Sequence, residues 1–152
     1  MSKWVIFISR KDHNDLFLKN IIQIYNASLD IDFWYTATTK NGSYLIYNAS
    51  LNTDSWYTAT TKNGNHLSIS GDKHSKQTIL EIIEFSPDSF LVKNIDDYFT
   101  ANIQYFNMNG LVEFCYDFSD FPDGHICDND DLFTVKQYHA ILTRDTPKKE
   151  IN

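Results

Sequence analysis

The segment Ile24–Leu45 is written a second time as Ile46–Leu67, with 17 of 22 positions identical. So close a match at a fixed offset marks a tandem duplication. Two copies are too few to stack into a solenoid, which buries a continuous core only from about three units upward. The copies must therefore be parts of one domain, residues 1–152, and only one copy can fill the place that an unduplicated fold reserves for it. Each copy runs through the β-branched stretch "WYTATT" into Lys-Asn-Gly and a short apolar end. Asn-Gly favours the positive φ angles of a tight hairpin turn, so each unit, 24–45 and 46–67, is an expected hairpin. The first is expected to be the added one.

Around the repeat the patterning alternates between sheet and helix. "KWVIFIS" reads as a buried strand. Asp12 is placed to cap a following helix, with Asp15 near its positive end. In that helix Phe17, Ile21 and Ile24 recur at helical spacing, as do Leu18, Ile22 and Tyr25 one step round. After the repeat, Ile79, Ile82 and Ile83 suit a helix capped by Ser75, while the β-branched content of the same stretch also allows a strand. "FTANIQYFNMNGLVEFCYDF" reads as two strands joined at Asn107–Gly110, "SDFPDGHICDNDD" as an acidic loop, and "FTVKQYHAILTRD" as a final strand. The order implies an α+β fold.

Composition narrows the function classes. A net charge of −7 leaves no basic face for long nucleic acid, although a small nucleotide's few charges can be met locally. Aromatic residues, 15% of the chain, serve either a core or the stacking of flat ligands. The apolar part of "MSKWVIFISRKD" is too short for a signal peptide or membrane span, which implies a cytoplasmic protein without a membrane partner. In that compartment the Asn-x-Ser triplets at Asn26, Asn41 and Asn48 are composition only. Cys115 and Cys127 are expected as free thiols, and neither they nor the scattered histidines form a metal set, so no metal or cofactor is expected.

Two of the five histidines sit in similar surroundings. Read as a strand, "NHLSIS" puts His66 and Ser68 on one face with Leu67 and Ile69 on the other. "YHAILTR", read likewise, puts His139, Ile141 and Thr143 together. Two such strands side by side would let one imidazole take a proton from an attacking hydroxyl while the other gives one to the leaving oxygen. The Ser68 and Thr143 hydroxyls would hold phosphate oxygens.

This pair of His-x-Ser/Thr strings resembles the 2H phosphoesterases, and in size the chain is most similar to the small phage nucleases that destroy cyclic oligonucleotide signals of CBASS-type defence. Trp56 stands about where many members carry a tryptophan ahead of the first motif. In the second motif the family's hydroxyl position is Ile141, with Thr143 two residues on. The resemblance implies antiparallel sheets in two lobes, with flanking helices around a central cleft. It also implies metal-independent hydrolysis of 3′–5′ bonds in cyclic di- or trinucleotides, in the host cytoplasm if the chain is of phage origin. His66 and His139 would be the catalytic residues, with Ser68, Thr143, Trp56 and Tyr138 contacting substrate. The rival reading is a lipocalin-like β-barrel that binds a small ligand without catalysis, with "ILEIIEFSPDSFLVKN" as a hairpin. A third is a protein-binding inhibitor with an acidic face around Asp117–Asp131.

Overall fold

The computed structural model of the chain describes residues 3–29, 37–38, 44–45 and 56–145. The first apolar run forms β1 (Lys3–Arg10). Its alternation sends Val5 and Phe7 to one side of the sheet and Ile6 and Ile8 to the other. A 3-10 turn (Lys11–His13) leads into α1 (Asn14–Tyr25). Asp12 lies in that turn and does not cap α1; the residue before the helix is His13, whose side chain makes no capping bond. The helix stops at Asn26, whose φ of 54° is a left-handed conformation that asparagine tolerates. Phe17, Leu18, Ile21 and Tyr25 form its buried stripe.

The repeat supplies β2 (Ser28–Leu29), β3 (Ala37–Thr38), β4 (Tyr44–Leu45), β5 (Trp56–Thr60) and β6 (His66–Gly71). The described strands of the two copies pair antiparallel at equivalent positions. Ala37 faces Leu45 and Thr38 faces Tyr44 in the first; Ala59 faces Leu67 and Thr60 faces His66 in the second. Only the second joins the large sheet, with Gly64 at φ 86° in its turn.

Next comes α2 (Ser75–Phe85), so the strand alternative for this stretch falls away. Its start is organised by Asp72 rather than Ser75: the Asp72 carboxylate accepts from the His74 backbone N–H and from the Thr78 and Thr100 hydroxyls. Two 3-10 turns, Phe90–Lys93 and Ile95–Asp97, precede β7 (Tyr98–Tyr105). The hairpin expected within 79–94 for a barrel is not formed: this stretch is the end of α2 and the first 3-10 turn.

Three further expectations are overturned in the C-terminal half. The second of the two strands expected within 99–118 is a helix, α3 (Met108–Asp117). Asn107 caps it, its Oδ1 accepting from Gly110 N at 2.9 Å, and Leu111, Phe114, Cys115 and Phe118 are buried at helical spacing. The acidic loop contains β8 (His125–Asp128), which turns through Asn129 and Asp130 at φ 56° and 72° into β9 (Asp131–Thr134). The expected last strand ends at Thr134, and the remainder is α4 (Val135–Asp145). Thr134 and Gln137 form a capping box: Gln137 N donates to Thr134 Oγ1 at 3.0 Å, and Thr134 N donates to Gln137 Oε1 at 2.9 Å.

Seven strands form one continuous antiparallel sheet in the order β2-β5-β6-β7-β1-β8-β9, with β3-β4 a separate pair. The fold is α+β. Its two motif segments are not in two lobes, since one is a strand of this sheet and the other a helix packed on it. The sheet is open between β2 and β9, so the described strands close no barrel. Helices α1, α3 and α4 cover one face, where Phe7, Phe17, Phe114, Phe118 and Phe121 stack edge and face. The aromatic composition is thus largely core, and each phenylalanine there contributes about 3–5 kcal/mol against truncation to alanine. The other face carries α2 and the 3-10 turns over Ile8, Tyr98 and Cys127.

Candidate functional site

A cavity of about 750 Å³ lies where β1 outruns its neighbour. β7 pairs with β1 from Lys3 onward, whereas β8 pairs with it only over Ile6–Ile8. Beyond that point β8 turns away through Asp128, Asn129 and Asp130. The notch beside Lys3–Val5 is walled by α2 through Thr78, Glu81 and Ile82, and by α4 through Tyr138, Ile141 and Leu142. Trp4 forms part of the wall and is 63% exposed. Tyr105 and Tyr138 also line it; both are largely buried.

Asp128 is the held group in this groove. The Tyr138 hydroxyl donates to its Oδ2 at 2.7 Å. Burial pushes the Tyr138 phenol well above its ordinary range, and the bond to Asp128 pushes it further. The Tyr105 phenol is raised by burial and then by the Asp128 charge. Burial likewise raises the Cys127 thiol to about 11. The phenols and the thiol therefore stay protonated near neutral pH. No histidine lines the groove.

The residues singled out from sequence divide between the two sides of the sheet. Tyr57, Ala59, Leu67 and Ile69 point into the core beneath α1 and α3. Alternation therefore places Trp56, Ser68 and His66 together on the opposite face, with Thr60 Oγ1 3.4 Å from His66 Nδ1. His66 is exposed. His139 and Thr143 are on α4, which packs on the α3 side, where the His139 ring lies 5.8 Å from that of Tyr116. The strand assignment for 135–145 fails because the capping box and the buried Val135 and Tyr138 commit the segment to a helix. The Thr143 hydroxyl donates to the His139 carbonyl at 2.9 Å, a bond within the helix. The sheet thus separates His66 from His139, and the two do not share a cleft. Tyr138 alone of the six lines the groove.

Comparison with protein-family models finds no match, and searches of curated proteins and of solved structures find none either.

Sequence reasoning passed over Trp4, Glu81 and Tyr105, and held Asp128 and Asp130 only as part of the acidic face around Asp117–Asp131. Trp4 carried a usable signal, since it is the outward residue of an apolar strand and is a large aromatic. Asp128 carried none beyond its place in that acidic stretch: its role depends on Tyr138, ten residues away in a helix that the pattern had assigned to a strand. Among the described residues no helix is long and apolar enough to cross a membrane.

Proposed function

We propose that the chain is a binding protein that holds a segment of another protein in the groove beside β1, without catalysing a reaction. The observation that carries this is the groove's make-up. It has aromatic walls and a fixed carboxylate, but no histidine, and its phenols and thiol are held away from neutral pH by burial. Groups poised to move protons cluster at catalytic sites, whereas concave, largely apolar sites with a few placed polar groups are built to bind. This develops the inhibitor-type reading, with the acidic surface moved from a loop to a groove.

The phosphodiesterase reading is supported by His66, which keeps Thr60 and Ser68 for company on an exposed sheet face. It lacks a second imidazole on that face from α4. Any such activity would fall with His66→Ala and be unmoved by His139→Ala.

One experiment separates the readings. Peptides selected from a random display library against the folded chain are mapped by amide and indole chemical shifts. In parallel the chain is incubated in EDTA with cyclic di- and trinucleotides. The binding reading expects selected peptides to shift the Trp4 indole and the Asp128 and Asp130 amides, with affinity falling about tenfold in Trp4→Ala, the scale of an interface aromatic anchor. Hydrolysis of a cyclic nucleotide that depends on His66 would overturn it.

A further inference from the structure

We infer that the groove recognises an arginine side chain on an extended segment of a protein partner. This rests on the binding reading above and names the chemistry of what is bound. Among the described residues three carboxylates line the groove, Glu81 from α2 and Asp128 and Asp130 from the β8–β9 turn, against one basic residue, Lys3. Trp4 shares the wall and exposes most of its surface. A guanidinium suits both surfaces. Carboxylates take it through paired charge-assisted hydrogen bonds, and an indole face attracts its charge.

Asp128 is oriented for this task. Tyr138 holds Oδ2 with a hydroxyl and not with a cation. A neutral donor fixes the carboxylate's position while leaving its negative charge for a ligand. The phenol is kept protonated by burial, so the bond persists through the neutral range.

The extended segment follows from the strand pairing. Residues Lys3–Val5 pair with β7 on one side, and β8 does not reach them on the other. A strand edge that no other described strand covers is what an incoming extended peptide pairs with. The cavity of about 750 Å³ has room for more than a single small amine. The chain's charge of −7 would also draw a basic partner toward it over distances of order the Debye length.

The test uses the full chain and three probes: the capped tripeptide Val-Arg-Val, the same peptide with citrulline in place of arginine, and choline. Citrulline keeps arginine's shape and loses its charge. The arginine peptide should shift the Trp4 indole and the Asp128–Asp130 amides, and the citrulline peptide should bind about tenfold more weakly. Glu81→Gln, on the exposed side of α2, and Asp128→Asn, which keeps an acceptor for Tyr138, should each weaken the arginine peptide severalfold without lowering the melting temperature by more than a degree or two. Equal binding of both peptides would overturn the charge recognition while leaving the groove as a binding site. Choline binding as tightly as the arginine peptide would overturn the protein-segment assignment. If none of these probes and no library-selected peptide shifted the groove residues, both this inference and the binding reading would fail.

Discussion

Removing Ile24–Leu45 should leave a folded protein that is more stable than the parent. The reason lies in a degeneracy of the repeat. Residues 24–29 and 46–51 both spell Ile-Tyr-Asn-Ala-Ser-Leu, so excising Ile24–Leu45 gives the same polypeptide as excising 30–51. The product, of 130 residues, keeps Tyr25 in the core, keeps β2 at Ser28–Leu29, and keeps β5 and β6 whole. What disappears is the β3–β4 pair and the chain around it. Every strand of the seven-stranded sheet remains.

The magnitude follows from the connection. In the parent, 26 residues (30–55) separate Leu29 from Trp56; in the variant the four residues Asn52–Ser55 do so. Because Leu29 pairs with Tyr57, the shortened connection is a hairpin loop of ordinary length. Closing a shorter loop costs less entropy, and the logarithmic dependence on length gives about 1.5 kcal/mol in favour of the variant. For a chain of this size that corresponds to a rise in melting temperature of about 4 °C. The assay is calorimetric melting of both proteins in one buffer, with the arginine-peptide titration as a check on the groove. A variant that melted about 5 °C lower, or lost its cooperative transition, would refute the reasoning. It would mean that residues 30–51 contribute packing that outweighs the loop entropy.

Two further outcomes are expected. Thr134→Ala removes one half of the capping box and should cost about 1 kcal/mol, seen as a melting temperature lowered by about 2–4 °C; an unchanged melting temperature would show that the cap does not hold α4. His125 lies half-buried with its ring 4.2 Å from Phe90 and its Nδ1 2.9 Å from the Asp123 carbonyl, and burial lowers its pKa from the ordinary 6.5. The unfolded chain therefore takes up a proton before the folded one, so the stability due to neutral His125 is complete above about pH 6.5 and is lost as pH falls toward the folded value. Between pH 7 and pH 5 the parent should lose more melting temperature than His125→Gln, and equal losses would contradict the burial argument.

The N-terminal half was legible because its patterns are unambiguous. β1 is an unbroken apolar run, α1 repeats every three to four residues, and Asn63-Gly64 marks the turn between β5 and β6, while Asn41-Gly42 lies outside the described residues. The C-terminal half misled because its apolar residues are aromatic and β-branched. Valine, isoleucine, tyrosine and phenylalanine favour strands by at most about 1 kcal/mol, and local caps can overrule that. Asn107 and the Thr134–Gln137 box do so here. Their spacing was visible in the sequence, as was the helical recurrence of Leu111, Phe114 and Phe118. The misassignment had a specific consequence at His139. Positions 139 and 143 share a face in a strand and also in a helix, so their association survived while the address of that face changed. The groove was not legible, because it depends on β1 outrunning β8, and Trp4 and Asp128 are far apart in the chain.

The duplication sets a sharper problem, since the described strands of both copies pair in the same register. The choice between them cannot come from the shared turn and must come from residues that differ. One is Asn65, where the first copy has Ser43. The Asn65 amide donates to Glu113 of α3 alongside the Thr61 hydroxyl, and its oxygen accepts from Asn107, so the hairpin is tied to the start of that helix. Serine is too short to make both bonds. A further difference lies just past the repeat. Ser70 and Gly71 are buried at the end of β6, where the first copy continues with Asn48 and Ala49. Placing the larger pair in that packed position would cost about 1–3 kcal/mol. Both terms favour the second copy in the sheet. The exchange of Tyr44 for His66, although chemically the most conspicuous difference, falls on an exposed outward position whose nearest polar contact is a threonine hydroxyl at 3.4 Å. A sheet accepts many polar residues at such a site. The differences that the fold reads are its neighbour, serine against asparagine, and the Ser70–Gly71 pair just past the repeat.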